Sequence, residues 1–292
     1  MSIPFDFEFY QPETLTEAKA LWHDLAAECK EPLSVNGFKK KPLYYAGGTE
    51  IISKARVQTL KFDALIDLKK IPECNILGIN GDNLIIGSCK TLAKIAESGL
   101  FPLLGKTVKR IADHTIQGKI TLGGNLFGSI KYREACLPLL ITDCTAVIMT
   151  EKGPEEVSFR KIFDGKMKLS DGDFLVQIKI NKRYLNLPYA HVKKTKIDKI
   201  DYPLITMVSH KDGQIIRAAI TGYGSEPTIL PENLLNEPAS PDERIKSIIK
   251  NLDKQVENDL AGSSDYKKFV LGNILEELFA KFSGKKKKET TI

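Results

Sequence analysis

Two glycine pairs constrain this chain more than any other feature. The first stands in "YYAGGTEIIS" (44–53) and the second in "ITLGGNLFG" (120–128). Glycine permits positive φ and lets another group come close to the backbone. Successive main-chain amides in such a turn form an anion-binding concavity, and a helix N-terminus just behind it adds to the pull. Gly47-Gly48 with Thr49 fits that description, and Gly123-Gly124 with Asn125 fits it again. Two such loops facing each other would hold a diphosphate between them without an arginine. The plainer alternative at each pair is a tight turn. The G-x-G-x-x-G dinucleotide fingerprint is absent.

The rest of the chain mixes strands, hairpins and helices. "TLTEAKALWHDLAAECK" reads as an amphipathic helix, with Thr14 and Glu17 in a capping box and Ala18, Leu21, Trp22 and Leu25 at helical spacing. Trp22 is expected to pack in the core. A basic stretch through Lys39–Lys41 reads as a loop. Leu43–Ala46 and Ala64–Leu68 are strand candidates. "NILGINGDNLIIGSC" reads as a hairpin turning at Asn80-Gly81. Thr91 caps a short helix through Ser98, and "FPLLGKTVKRIADHTI" (101–116) reads as another helix. "LPLLITDCTAVIMT" (137–150) is apolar enough to be buried, and "FLVQIKI" is a strand. The strand-like run 204–224 turns at Asp212-Gly213. Ser240-Pro241-Asp242-Glu243 combines a cap, a proline at N1 and a capping-box glutamate. Ser263 or Ser264 opens a last helix, with Tyr266, Phe269, Val270, Ile274 and Leu278 on one face. Strict βαβ alternation is absent, so the fold class is α+β, with a boundary near 182–188.

Composition excludes several function classes. The 292 residues are 42% hydrophobic and 27% charged, which are globular values. No stretch approaches the roughly 20 apolar residues of a membrane span, and the acidic, aromatic opening "MSIPFDFEFYQPE" is unlike a signal peptide. The expected setting is cytoplasmic. Cys29, Cys74, Cys89, Cys136 and Cys144 are scattered, with no C-x-x-C, so they read as free thiols and not as ligands of zinc or an iron–sulfur cluster. His23, His114 and His210 have no metal-ligand spacing. Ser129 lies in "FGSIK", outside any G-x-S-x-G. Much of the net charge of +6 is local to Lys39–Lys41 and to the closing "GKKKKETTI". Residues 285–292 read as a solvated, disordered basic tail, and nucleic acid is not an expected partner.

Read in order, "FEFYQPETLTEA", "YYAGGTEI", "ALIDLKKI", "LIIGSCKTL", "TLGGNL", "RAAITGYGSEPTIL" and "SSDYKKFVLGNILEEL" resemble the FAD-binding medium subunit of the xanthine dehydrogenase/carbon monoxide dehydrogenase family of molybdenum hydroxylases. The resemblance runs from about Phe5 to Phe282. It implies a p-cresol methylhydroxylase/vanillyl-alcohol oxidase (PCMH/VAO) type FAD fold over 1–182, with subdomains at about 1–60 and 61–182. A carbon monoxide dehydrogenase flavoprotein-like C-terminal α/β domain would cover 183–284. It implies FAD as cofactor, with Tyr45, Ala46, Gly47, Gly48, Thr49, Glu50 and Ile51 in the first diphosphate loop. Gln117, Thr121, Gly123, Gly124 and Asn125 would belong to the second. It also implies an iron–sulfur small subunit and a molybdopterin large subunit as partners, usually in a dimer of heterotrimers, and NAD+ or another electron acceptor.

The chain departs from that pattern at the flavin end. The family usually writes I-R-N-x-A-T-I-G-G-N, where this chain has "IQGKITLGGN", so Gln117 and Gly118 replace arginine and asparagine. The family aspartate that meets the flavin portion is matched by Glu134, and the small and proline residues before it by Ile130, Lys131 and Tyr132. In the opening Y-x-K-x-x-R-R of the C-terminal domain, His191 stands at the lysine, which lies near the flavin ring in some relatives. Three functions are carried forward. One is an electron-transferring FAD subunit, and one is a self-contained flavin oxidoreductase. The third is a non-enzymatic structural remnant of the same fold.

Overall fold

A computed structural model describes residues 2–28, 42–197 and 201–284. The loop with Lys39–Lys41, Cys29 and the basic tail lie outside the described residues. The chain forms two compact units. The first comprises Met1–Leu100, His114–Gly128 and Asp143–Lys182; the second comprises Phe101–Asp113, Ser129–Thr142 and Arg183–Ile292. The last passage of the chain from the first unit to the second lies between Lys182 and Arg183. The second unit also takes two earlier segments that the sequence placed in the first domain.

In the first unit, β1 (Glu8–Tyr10), β2 (Pro42–Tyr45) and β3 (Ala64–Asp67) form a parallel sheet in the order β1–β3–β2. Strand residues alternate between its faces. Tyr44 and Ile66 face the helix Leu15–Glu28, joining Ala18, Leu21, Trp22 and Leu25. Leu43, Tyr45 and Leu65 face the helix Thr49–Arg56, joining Ile51, Ala55 and Phe62. Thr14 caps the first helix through the Glu17 amide at 3.1 Å, while the Glu17 carboxylate takes the Glu13 amide at 2.8 Å. The box therefore closes one residue early.

Among the described residues this unit has seven further strands: β4 (Leu77–Asn80), β5 (Asn83–Gly87), β6 (Thr145–Thr150), β7 (Gly153–Ser158), β8 (Phe163–Asp164), β9 (Lys166–Met167) and β10 (Phe174–Asn181). An antiparallel sheet runs β4–β5–β10–β6–β7, and β8 pairs with β9. Asn80 pairs with Asn83, so the hairpin turns on Gly81-Asp82, one residue later than expected, with Gly81 at φ 55°.

The second unit is built on β11 (Tyr189–Thr195), β12 (Pro203–Asp212), β13 (Ile215–Thr221) and β14 (Thr228–Ile229), an antiparallel meander. Asp212 pairs with Ile215, placing Gly213-Gln214 in the turn. Strand β12 is buried at every residue from Pro203 to His210 because both its faces are covered. The helix Ser264–Phe282 and the short helix Cys136–Ile141 both pack on it. Ser240 and Glu243 close their capping box on the helix Pro241–Asn251.

Two expectations are corrected. The continuous helix over 101–116 is two helices, Pro102–Val108 and His114–Gln117, in different units. Ala112 takes φ 55° between them, and that left-handed residue ends the helical path. On the last helix, Tyr266 and Phe269 point to solvent, while Val270, Leu271, Ile274, Leu275, Leu278 and Phe279 are buried. The apolar stripe lies one step around the helix from the expected one. Lys267 sits on the inner side, its side chain fully buried against Asp259 at 2.9 Å.

Asp259 also receives Lys131 at 2.5 Å. These hydrogen bonds outweigh its partial burial and hold the carboxyl well below the usual carboxylate range. Asp259→Ala leaves the Lys267 ammonium buried without its carboxylate. The expected loss is about 3–5 kcal/mol of stability, read from urea unfolding of the whole chain, whereas Glu257→Ala, on a half-buried neighbour whose carboxylate stands 3.7 Å from Lys131, changes it by less than about 1 kcal/mol.

Candidate functional site

The first unit contains a cavity of about 450 Å³. Tyr44, Tyr45, Ala46, Gly47, Gly48, Thr49, Glu50 and Ile51 line one side. Strand β2 delivers this loop into the helix Thr49–Arg56. Gly48 is the N-cap at φ 68°, and it has no side chain to cap the helix. The amides of Thr49, Glu50 and Ile51 belong to the first turn, where helix geometry supplies no partner. The positive end of the helix dipole lies there too. Glu50 is paired with Lys54 at 2.8 Å, which offsets its charge at this end.

Thr121, Gly123 and Gly124 line the same cavity. The second loop runs beside the end of β5: Leu92 N–H donates to Ile120 O, Leu122 N–H to Lys90 O, and Gly123 N–H to Ser88 O. Thr121 caps the short helix Leu122–Phe127 by accepting from Gly124 N–H at 3.1 Å. Asn125 N–H donates to Thr121 O. The two loops touch. A Cβ on Gly47 would lie 2.2 Å from Lys119 O and 3.2 Å from Thr121 N. A Cβ on Gly48 would lie 2.2 Å from the Tyr45 ring. The Tyr45 ring also carries Lys69 over its face at 4.4 Å, and Lys69 Nζ donates to Ala46 O at 3.0 Å.

The two loops are thus brought together, as their residue pattern suggested, but their backbones are used differently. The first presents helix-end amides. In the second, the amides of Leu122, Gly123, Gly124 and Asn125 each have a protein acceptor, and its glycines serve close packing. Gln117 is buried in the helix His114–Gln117, and neither it nor Asn125 lines the cavity. The sequence reading missed a further part of the lining, Trp22, Met167 and the segment Leu169–Leu175. The Asp171-Gly172 turn dipeptide was the available signal.

Glu134 and His191 belong to the second unit. Both Glu134 carboxylate oxygens are engaged, one by Lys193 Nζ at 2.8 Å and the other by Thr206 Oγ1 at 2.7 Å. Lys193 also donates to Arg110 O at 2.7 Å. Burial pushes the Glu134 carboxyl up, against the pull of Lys193. His191 shares a face of β11 with Lys193, and its buried Nε2 has no hydrogen-bond partner. Burial, then the charges of Lys106, Arg110 and Lys193, push the imidazole down to about 4. His191 is neutral at neutral pH.

A histidine near 6.5 in the unfolded chain and near 4 in the fold gives stability a defined pH dependence. Between those values the unfolded state binds more protons, so stability rises with pH and is fully present above 6.5. His191→Phe is expected to remove about 2.5 kcal/mol of that pH dependence, measured as the difference between wild-type and variant unfolding free energies at pH 4.5 and pH 7.5.

The sequence profile described as "FAD binding domain in molybdopterin dehydrogenase" matches residues 5–182. The chain is 27% identical over 165 residues to the nicotinate dehydrogenase FAD-subunit of Eubacterium barkeri, covering 55% of this chain and 52% of that protein. It is 27% identical over 128 residues to the carbon monoxide dehydrogenase medium chain of Hydrogenophaga pseudoflava, covering 42% and 40%. These matches span about half the length of those relatives or less. The fold superposes on the structure of carbon monoxide dehydrogenase from Hydrogenophaga pseudoflava which lacks the Mo-pyranopterin moiety, with a TM-score of 0.79 at 22% identity, covering 96% of this chain and 99% of that one. The profile covers well over half of the chain, and the chain belongs to the family of FAD-binding domains of molybdopterin dehydrogenases.

Proposed function

We propose that this chain is the FAD-carrying subunit of a molybdenum hydroxylase-type dehydrogenase, set between the iron–sulfur clusters of a small companion subunit and NAD+ or another acceptor. A large companion would carry the molybdopterin and the oxidised substrate. The observation that supports this is the contact of the two glycine loops around one cavity. Its residues fit a dinucleotide: an uncapped helix end faces inward for a diphosphate, and the loops meet where no Cβ fits. Bound there, a flavin supplies the exchange between one- and two-electron transfer.

The chain's own part is to bind and orient. Gly47 and Gly48 shape the loop, the amides of Thr49, Glu50 and Ile51 offer donors, and Thr121, Gly123 and Gly124 set the opposite rim. Among the described residues no group of His, Cys, Asp and Glu is arranged to hold a metal ion, so the clusters are assigned to companions. No described helix is long and apolar enough to cross a membrane.

The test is the visible spectrum of the purified chain and the identity of any flavin released on denaturation. FAD released stoichiometrically supports the reading, and a chain that neither carries nor takes up FAD overturns it. Gly47→Ala forces its methyl against Lys119 O and is expected to weaken FAD binding by about 100-fold, near 3 kcal/mol. Gly78→Ala meets nothing within 4 Å and serves as the silent control. Both are measured by titrating FAD into stripped protein.

A further inference from the structure

Lys19 is a charged residue inside the first unit, with only 5% of its surface exposed. Its ammonium has three partners: Gly172 O at 2.9 Å, Asp173 Oδ1 at 2.9 Å and Glu151 Oε1 at 2.7 Å. An ammonium has three protons to donate, so each has an acceptor. Gly172 O also accepts from Tyr44 Oη at 2.9 Å. Gly172 takes φ 82°, and a Cβ there would lie 2.6 Å from the Trp22 ring. Trp22, Tyr44, Gly172 and Asp173 all line the cavity. Lys19 itself does not.

Burial of an ammonium is costly unless it is paired and hydrogen-bonded. Here two of the three acceptors lie on one short segment without regular structure, Leu169–Asp173, which lines the cavity, and the third is Glu151. Burial alone would lower the Lys19 pKa; its bonds to Glu151 and Asp173 more than offset this and raise it. The charge is therefore kept, and the segment is tied to the helix Leu15–Glu28. Trp22 is one turn along that helix, with Lys19 Nζ 6.0 Å from its ring centroid.

We infer that Lys19 is a positioning residue for the cofactor cavity: its ammonium fastens Gly172 and Asp173 beneath Trp22 and so sets the wall against which a bound dinucleotide rests. The inference builds on the proposed FAD site, but the wall exists without ligand. Three variants separate positioning from general stability. Lys19→Met removes the ammonium, Lys19→Arg keeps a cation, and Glu151→Gln weakens the exposed end of the cluster without emptying the buried site.

Two readouts are taken on protein shown to be folded by circular dichroism. One is the emission maximum of Trp22, the chain's single tryptophan, without ligand. The other is FAD affinity by titration. Lys19→Met is expected to shift the emission to the red and to weaken FAD binding at least tenfold. Lys19→Arg restores both to near wild type, and Glu151→Gln lies between, at threefold or more. A purely structural lysine would lower the melting temperature and leave both readouts of the folded protein unchanged, and that result overturns the inference. Should Lys19→Met not fold, unchanged emission and affinity in Glu151→Gln overturn it equally. A wild type that takes up no FAD overturns the proposed function, while the emission readout still decides whether Lys19 holds the wall.

Discussion

The approach of Gly47 to the carbonyl of Lys119 is the contact on which the first unit's architecture turns. A Cβ at 2.2 Å from that oxygen cannot exist without moving backbone. Two parts of the chain, delivered by different sheets, are therefore in main-chain contact. Strand β2 brings one loop out of the parallel sheet. The second loop is laid along Ser88–Leu92, beyond the end of β5 in the antiparallel sheet. Any side chain larger than hydrogen at residue 47 would open the seam and the cavity with it.

The second unit achieves fixity by another means. Residues 131–134 lack helix or strand, yet each is pinned. Lys131 binds Asp259, Tyr132 stacks on Tyr202 at 5.2 Å, Arg133 pairs with Glu226 at 2.9 Å, and Glu134 pairs with Lys193. Arg133 adopts φ 34°, a backbone state that a non-glycine residue avoids unless its surroundings hold it there. Ion pairs of this burial add little net stability because desolvation offsets attraction. Their effect is to allow one conformation of a segment that hydrophobic contact alone would leave open.

How legible this was in the sequence depended on the kind of signal. Strand-like runs and caps are local, so β3, β10, Thr91, Ser240 and the pair Ser263-Ser264, of which Ser263 is the cap, stood out from neighbouring residues alone. The break between Pro102–Val108 and His114–Gln117 was not legible, because "KRIAD" contains no glycine or proline and its helix formers are ordinary. What ends the helical path is the left-handed backbone at Ala112, a state that local propensity does not announce. The stripe of the last helix was misplaced for a related reason. Tyr266 and Phe269 look like core residues by hydrophobicity, and Lys267 does not. Only Asp259, eight residues away and in a loop, makes burial of that lysine tolerable. The approach of the two glycine loops was legible because backbones that pack this closely need residues without side chains. The lining formed by Trp22 and the segment Leu169–Leu175 was not, because its contacts join residues more than 120 positions apart.

The two glycine pairs show how one dipeptide serves two physical ends. At Gly47-Gly48 the left-handed turn starts a helix whose N-cap offers no side-chain hydrogen bond, and the first residues of that helix line the cavity. At Gly123-Gly124 a threonine precedes the pair and caps the helix itself, and Ser88 O takes the Gly123 amide. There the absence of a Cβ matters for packing, since one on Gly123 would meet Ser88 O at 3.0 Å. The cavity is therefore asymmetric in its electrostatics: one rim supplies N–H dipoles, and the other supplies shape and the hydroxyl of Thr121. On the proposed reading the first rim would draw an anionic ligand and the second would confine it, while Lys19 would hold Gly172 and Asp173 in the cavity lining whether or not a ligand is bound.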